Sequence, residues 1–134
     1  MSQENVELIR LLAERINAGT VEDELELIHP DLELFPPEDE PEARSGVYRG
    51  RKGWREYSAF WDESFDQYNV EADEYIDAGE YVVVVGQVRA TGRASGAQVE
   101  SPAVWLWRVR DGMGIEFREY GTKEQALEAA RMRE

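Results

Sequence analysis

Tyr81-Val82-Val83-Val84-Val85-Gly86-Gln87-Val88, the run from Val99 to Val109 with Trp105 and Trp107, and Ile115-Glu116-Phe117-Arg118-Glu119-Tyr120 decide the fold of this chain. They read as three long antiparallel strands with aromatic side chains clustered on one face. Ser95-Gly96 and Asp111-Gly112 punctuate them and suit tight hairpin turns, because glycine accepts positive φ at little cost. Most of the chain before Gln67 reads as helical. A sheet that follows helices buries one face against them, and the space between can hold a ligand.

Working back toward the amino terminus, Val6, Ile9, Leu12, Ala13 and Ile16 recur at three and four residues and predict an amphipathic helix over about Ser2–Ala18. Ser2 suits its N-cap and Gly19 its stop. A second helix starts at Thr20, with Val21, Leu25 and Ile28 facing inward and Pro30 just past its end. Asp31–Phe35 reads as a short strand. Residues 36–45 are acidic and proline-rich and read as a loop. Their carboxylates match no EF-hand spacing, so they read as solvated loop charge. A third helix is expected over Arg51–Phe65, a strand over Tyr68–Asp77, and a last helix over Thr122–Met132 with Ala126, Leu127 and Ala130 on one side.

The architecture expected is α+β: three helices from the amino-terminal half lie on a curved, mostly antiparallel sheet that forms a cone-shaped barrel, with a short C-terminal helix. Strand parity fixes which face of the sheet is the inside. Val99, Ser101, Ala103, Trp105, Trp107 and Val109 share one side, assigned to the pocket because two indoles need a large buried volume. The other side carries Val104 and Leu106. Left uncovered, these are too apolar for free solvent and predict a homodimer through the outer sheet face.

With 134 residues, the chain suits one domain, taken as 1–134, since domains commonly run ~100–150 residues. Hydrophobic residues make up 42% of it, enough for a core. Fifteen basic against twenty-nine acidic side chains give a formal charge of −14, which disfavours nucleic acid and anionic membranes as partners. Arg89, Arg93, Arg108, Arg110 and Arg118 gather on the strands, where cross-strand pairing with Glu100, Glu116 and Glu119 is favoured over an anion site. No apolar run is long enough to cross a bilayer, and Met-Ser-Gln-Glu-Asn-Val lacks a signal peptide's basic start, so a cytoplasmic protein is expected. The absence of cysteine excludes disulfides and thiolate chemistry.

Asn17-Ala18-Gly19, Leu27-Ile28-His29-Pro30-Asp31, Tyr48-Arg49-Gly50, Val104-Trp105-Leu106-Trp107, Arg110-Asp111-Gly112 and Phe117-Arg118-Glu119-Tyr120 stand in an order that resembles SnoaL-like proteins. These belong to the nuclear-transport-factor-two-like superfamily of cone-shaped α+β folds. The resemblance spans essentially the whole chain and implies a fold, not an activity, because the superfamily includes polyketide cyclases, ketosteroid isomerases, epoxide hydrolases, dehydratases and noncatalytic binding modules. Ketosteroid isomerases use an Asp base with a Tyr and a protonated Asp as oxyanion donors. Against that pattern the base falls near Pro36, the tyrosine near Leu12 and the donor acid near Trp105, so all three groups are absent. Many SnoaL-like chains carry a His where Trp105 stands. No inward Asp–Arg–Asp set of the limonene-epoxide-hydrolase kind is found.

Among candidate site residues, Glu119 shares parity with Phe117 and is expected deep in the cone. There it reads either as a general acid or base with a raised pKa, or as a structural ion pair. Tyr57 reads either as a hydroxyl that orients a ligand carbonyl or as a core tyrosine. Leu12, Trp54, Trp61, Ser101, Trp105, Trp107 and Phe117 complete the expected pocket wall. His29, the only histidine, is expected at a helix end donating to terminal carbonyls, and Asp31 as the cap of the turn after Pro30. One histidine and scattered carboxylates give no metal spacing, and neither metal nor organic cofactor is expected. The function expected is binding of a hydrophobic small molecule, with isomerase, cyclase or dehydratase chemistry by general acid and base. A noncatalytic binding domain is the alternative, and an epoxide hydrolase with a different site the third.

Overall fold

A computed structural model describes residues 2–36 and 47–133. Helix α1 (Ser2–Ala18) has the bounds its apolar spacing predicts, and Val6, Ile9 and Leu12 are buried. Asn17 fastens its far end to the sheet: the side-chain amide donates to the Val70 carbonyl (2.9 Å) and its oxygen accepts the Val70 N–H (2.7 Å). The acidic loop read over residues 36–45 lies, from residue 37 on, outside the described residues.

Helix α2 (Val21–Leu25) is shorter than its sequence suggests, and Ile28, His29 and Pro30 belong instead to strand β1 (Ile28–Leu34). The competing force is sheet pairing. Ile28 pairs with Gly114, and the ladder is irregular between Ile28 and Glu33, a gap in which Pro30 loses nothing by having no N–H. His29 therefore sits on a strand, not at a helix end. Its Nδ1 accepts the Asp31 N–H (2.9 Å) and its Nε2 lies 3.5 Å from an Asp111 carboxylate oxygen. Asp31 likewise is a strand residue, not a turn cap.

The chain continues through β2 (Tyr48–Arg49), α3 (Gly50–Ser64), β3 (Phe65–Ala78), β4 (Tyr81–Gly92), β5 (Gln98–Arg110), β6 (Met113–Tyr120) and α4 (Lys123–Arg133). The six strands form one sheet in the order β2-β1-β6-β5-β4-β3, and only the β1–β6 pair is parallel. Asp111-Gly112 forms the two-residue turn between β5 and β6 with φ of 55° and 70°, both positive as a type I′ hairpin requires. Ser95-Gly96 sits in a longer connection, closed where the Gly92 N–H meets the Ala97 carbonyl.

Long strands must bend to close a cone, and Gly86 is where β3 crowds β4. A Cβ built there would stand 2.0 Å from the Glu71 carbonyl oxygen and 2.9 Å from the Ala72 Cα, beside the irregularity between Ala72 and Glu74.

The inner face of the sheet packs on α1 and α3 and buries Val82 and Val84 together with Ala103, Trp105, Trp107 and Phe117, the last four as parity predicts. The outer face differs from expectation. Val104 and Leu106 are not left open but lie with Tyr81 and Val83 beneath Ala126 and Ala130 of α4. The exposed apolar patch that motivated a homodimer is thus filled by the chain's own last helix. Leu106 is 1% exposed, so Leu106→Ala should cost about 2–5 kcal/mol. The mutant's molar mass by light scattering should equal the wild type's; a loss of mass would restore Leu106 to an interface.

The strand arginines are paired along the sheet. Arg89 lies 3.1 Å from Glu71 and 3.4 Å from Glu100, Arg93 reaches Asp66, Arg108 and Arg110 converge on Glu80, and Arg118 reaches Glu116. This leaves no cluster of open guanidinium groups for a phosphate backbone among them. Among the described residues no helix is long and apolar enough to cross a membrane.

Candidate functional site

Between the concave face of the sheet and the helices lies a cavity of about 300 Å³. Helix α1 contributes Ile9, Leu12 and Ile16; α3 contributes Trp54, Tyr57, Ser58 and Trp61. These α3 positions repeat at three and four residues, so one stripe of the helix faces the sheet. From the sheet come Ser101, Trp105 and Trp107 of β5, and Phe117 and Glu119 of β6. Every residue expected on the pocket wall therefore borders this one space.

The aromatic side chains touch without filling the cavity. Trp107 lies 5.8 Å from Trp54 and 4.6 Å from Phe117, both tilted. Its ring is seated on Gly114, where a Cβ would come within 2.7 Å of the indole. Trp61 stacks on Phe65 (5.0 Å) and meets Tyr57 edge-on (6.4 Å), and Tyr57 meets Tyr48 edge-on in turn. Such tilted and edge contacts hold rings by their quadrupoles and fix their planes.

Glu119 borders the cavity, but not where it was expected. It is solvent-exposed, at the mouth of the cone, and its Oε1 accepts the Trp105 indole N–H at 3.1 Å. Parity gave its direction correctly. Depth depends on where the strand leaves the barrel, and Glu119 is one residue from the end of β6. Tyr57 stands on the wall, partly buried.

The group that sequence reasoning missed is Glu24 on α2. It is 5% exposed, the only charged side chain buried among the described residues, and it borders the cavity. Its Oε1 accepts the Trp54 indole N–H at 2.7 Å, a short bond between α2 and α3. Burial pushes the carboxyl above the ordinary carboxylate range. The Trp54 hydrogen bond opposes that shift, and the charges of Asp62 and Asp23 add to it. Nearby, the Tyr68 hydroxyl donates to Asp62 Oδ1 at 2.8 Å, and burial, that bond and the Asp62 and Glu24 charges push the phenol well above its ordinary range. Glu24, Asp23 and Asp62 thus bring acidic groups together at this end of the cone.

A signal for Glu24 was present in the sequence. Positions 21, 24, 25 and 28 are the i, i+3, i+4, i+7 set of a helical face, and three of them are Val21, Leu25 and Ile28. The acidic run Glu22-Asp23-Glu24 hides the fourth among residues that suit a helix N-terminus. His29 and Asp31 do not border the cavity. No group of three or more His, Asp or Glu side chains that could hold a metal ion occurs among the described residues.

A helix-roofed, curved sheet enclosing an aromatic cavity is the arrangement of the NTF2-like fold. A family model for the SnoaL-like domain matches residues 9–117, and the chain belongs to that family. Among solved structures, an NTF2-like protein of unknown function from Burkholderia pseudomallei K96243 superposes with a TM-score of 0.80 at 21% identity, over 93% of this chain and 95% of that one. TerC, co-crystallised with polyporic acid, superposes at 0.79 and 23% identity over 96% and 98%. IdmH from Streptomyces antibioticus, provisionally assigned as a polyketide cyclase, superposes at 0.72 and 24% identity over 94% and 96%. Comparison with curated proteins returned no match. At these identities the structural likenesses establish the fold.

Proposed function

We propose that this SnoaL-like protein binds a hydrophobic small molecule in its cone and moves a proton on it, in a reaction of the isomerisation, cyclisation or dehydration class. The observation that carries this reading is Glu24: a buried carboxyl that borders an aromatic cavity and is fixed by one indole N–H. Burial raises its pKa above the ordinary carboxylate value, which suits a group that both gives and takes a proton. Trp54 acts through it as a positioning residue, holding one oxygen and leaving the carboxyl's reach set by α2. Tyr57 supplies a hydroxyl on the wall for a ligand carbonyl. Glu119, held by Trp105 at the mouth, supplies an acceptor for the part of the ligand that stays near solvent.

The apolar lining favours a flat, largely hydrophobic ligand over a sugar or a phosphate. TerC, a structure of this fold, was co-crystallised with polyporic acid, an organic compound, which supports a small-molecule reading. The test is a panel of aromatic and polycyclic compounds, followed by tryptophan emission for binding and by NMR for change in the ligand. Micromolar binding with conversion of at least one compound is expected. Tight binding without conversion of any compound would reduce the function to the noncatalytic alternative. Absence of binding throughout would end the small-molecule reading.

A further inference from the structure

We infer that the ligand of this cone is a hydrophobic cation, an organic molecule carrying a protonated or quaternary amine, with the positive charge lodged at Glu24. This rests on the small-molecule reading above and adds the charge of the ligand to it.

The charged side chains that border the cavity are Glu24 and Glu119, both acidic, and no lysine, arginine or histidine borders it among the described residues. An anionic ligand would meet no counter-charge there. It would also have to approach a chain of formal charge −14, a field that draws cations instead.

Among the described residues, Glu24 is buried without a cationic partner. The neighbouring basic groups are engaged elsewhere: Arg55 pairs with Glu22, and Arg15 binds the Asp23 carbonyl and Glu26. One carboxyl oxygen takes the Trp54 N–H, and among the described residues no donor is placed on the other. Buried carboxylates ordinarily carry a counter-charge, since removing one from water costs several kcal/mol, roughly, unless another group compensates. A ligand ammonium supplies both the charge and the missing hydrogen bond. A neutral ligand supplies at most the second.

The surrounding surface is rich in aromatic rings. Trp54, Tyr57, Trp61, Tyr68, Trp105 and Trp107 all border the space. Aromatic faces attract ammonium groups, most strongly when the pair is desolvated, and indole is the best of them. The same rings take the apolar remainder of the ligand. Anionic and aromatic groups around one cavity, with basic groups absent from its described wall, form the environment an organic cation needs.

The test uses three matched probes of one shape: naphthylmethylammonium, naphthylmethanol and naphthoate, titrated into the intact protein at neutral pH with tryptophan emission as readout. The ammonium is expected to bind about tenfold or more tighter than the alcohol, equivalent to ~1.4 kcal/mol. Naphthoate is expected to bind more weakly than the alcohol. In Glu24→Gln the ammonium's advantage over the alcohol should disappear. Equal affinity for ammonium and alcohol, or tightest binding of naphthoate, overturns the charge assignment and leaves cone binding standing. A Glu24→Gln protein that keeps the full ammonium preference also overturns it. Failure of all three probes to bind counts against the cone reading itself. The wild-type series alone decides the question if the variant does not fold.

Discussion

Glu24→Gln is expected to lower the turnover of a compound processed in the cone by about 10²–10⁴-fold, the loss typical of removing a positioned acid or base. Glutamine is close to isosteric and keeps an oxygen for the Trp54 indole N–H, so the 2.7 Å link between α2 and α3 can persist. The same substitution should stabilise the fold at neutral pH. Burial raises the Glu24 pKa, so the folded chain holds this proton more tightly than the unfolded chain does. The resulting stability is complete below the ordinary carboxylate range and is lost as pH rises through the folded value. Glutamine escapes that loss. Urea midpoints of variant and wild type should therefore converge in acid and separate above the folded pKa, with the variant higher. A variant that is less stable at neutral pH, or that turns over substrate at the wild-type rate, would remove Glu24 from the proposed chemistry.

Gly86→Ala is expected to be the most damaging small substitution in the sheet, at about 3 kcal/mol or more. The added methyl would stand 2.0 Å from the Glu71 carbonyl oxygen, a backbone atom of the β3–β4 ladder, where Glu71 pairs with Gln87 and Ala72 with Gly86. A side chain could rotate away from such a clash; a strand must shift. Relief would require β3 to draw back from β4 at the place where the cone bends, opening the wall that carries Val70 and Tyr75. Urea unfolding measures the cost, and ligand titration should show weakened binding in whatever fraction still folds. A change under about 0.5 kcal/mol, the usual scatter of surface substitutions, would mean that the strands relax freely there.

Much of this arrangement was legible before any coordinates. The period of Val6, Ile9, Leu12 and Ile16 fixes both ends of α1, and alternation along β5 correctly sends Trp105 and Trp107 inward. Both signals are local and repeat over many residues, so single exceptions do not mislead. The errors fall where a distant partner decides. Ile28-His29-Pro30 continues a helical pattern, yet β6 recruits it into the sheet. Val104 and Leu106 look exposed until α4, weakly patterned in sequence, folds back over them. Glu119 points the right way but lies at the strand's end. Glu24 was obscured because three acidic residues in a row suggest solvent. What buries the third of them is Trp54, thirty positions later.

The carboxyl proposed to react in this cone stands on a five-residue helical turn, outside the ladder that shapes the barrel. Glu24 itself takes part in no strand pairing. Lineages built on this frame can therefore exchange one reactive group for another, or lose it and keep a receptor, while the barrel persists unchanged. Chemistry in such proteins is free to diverge faster than architecture.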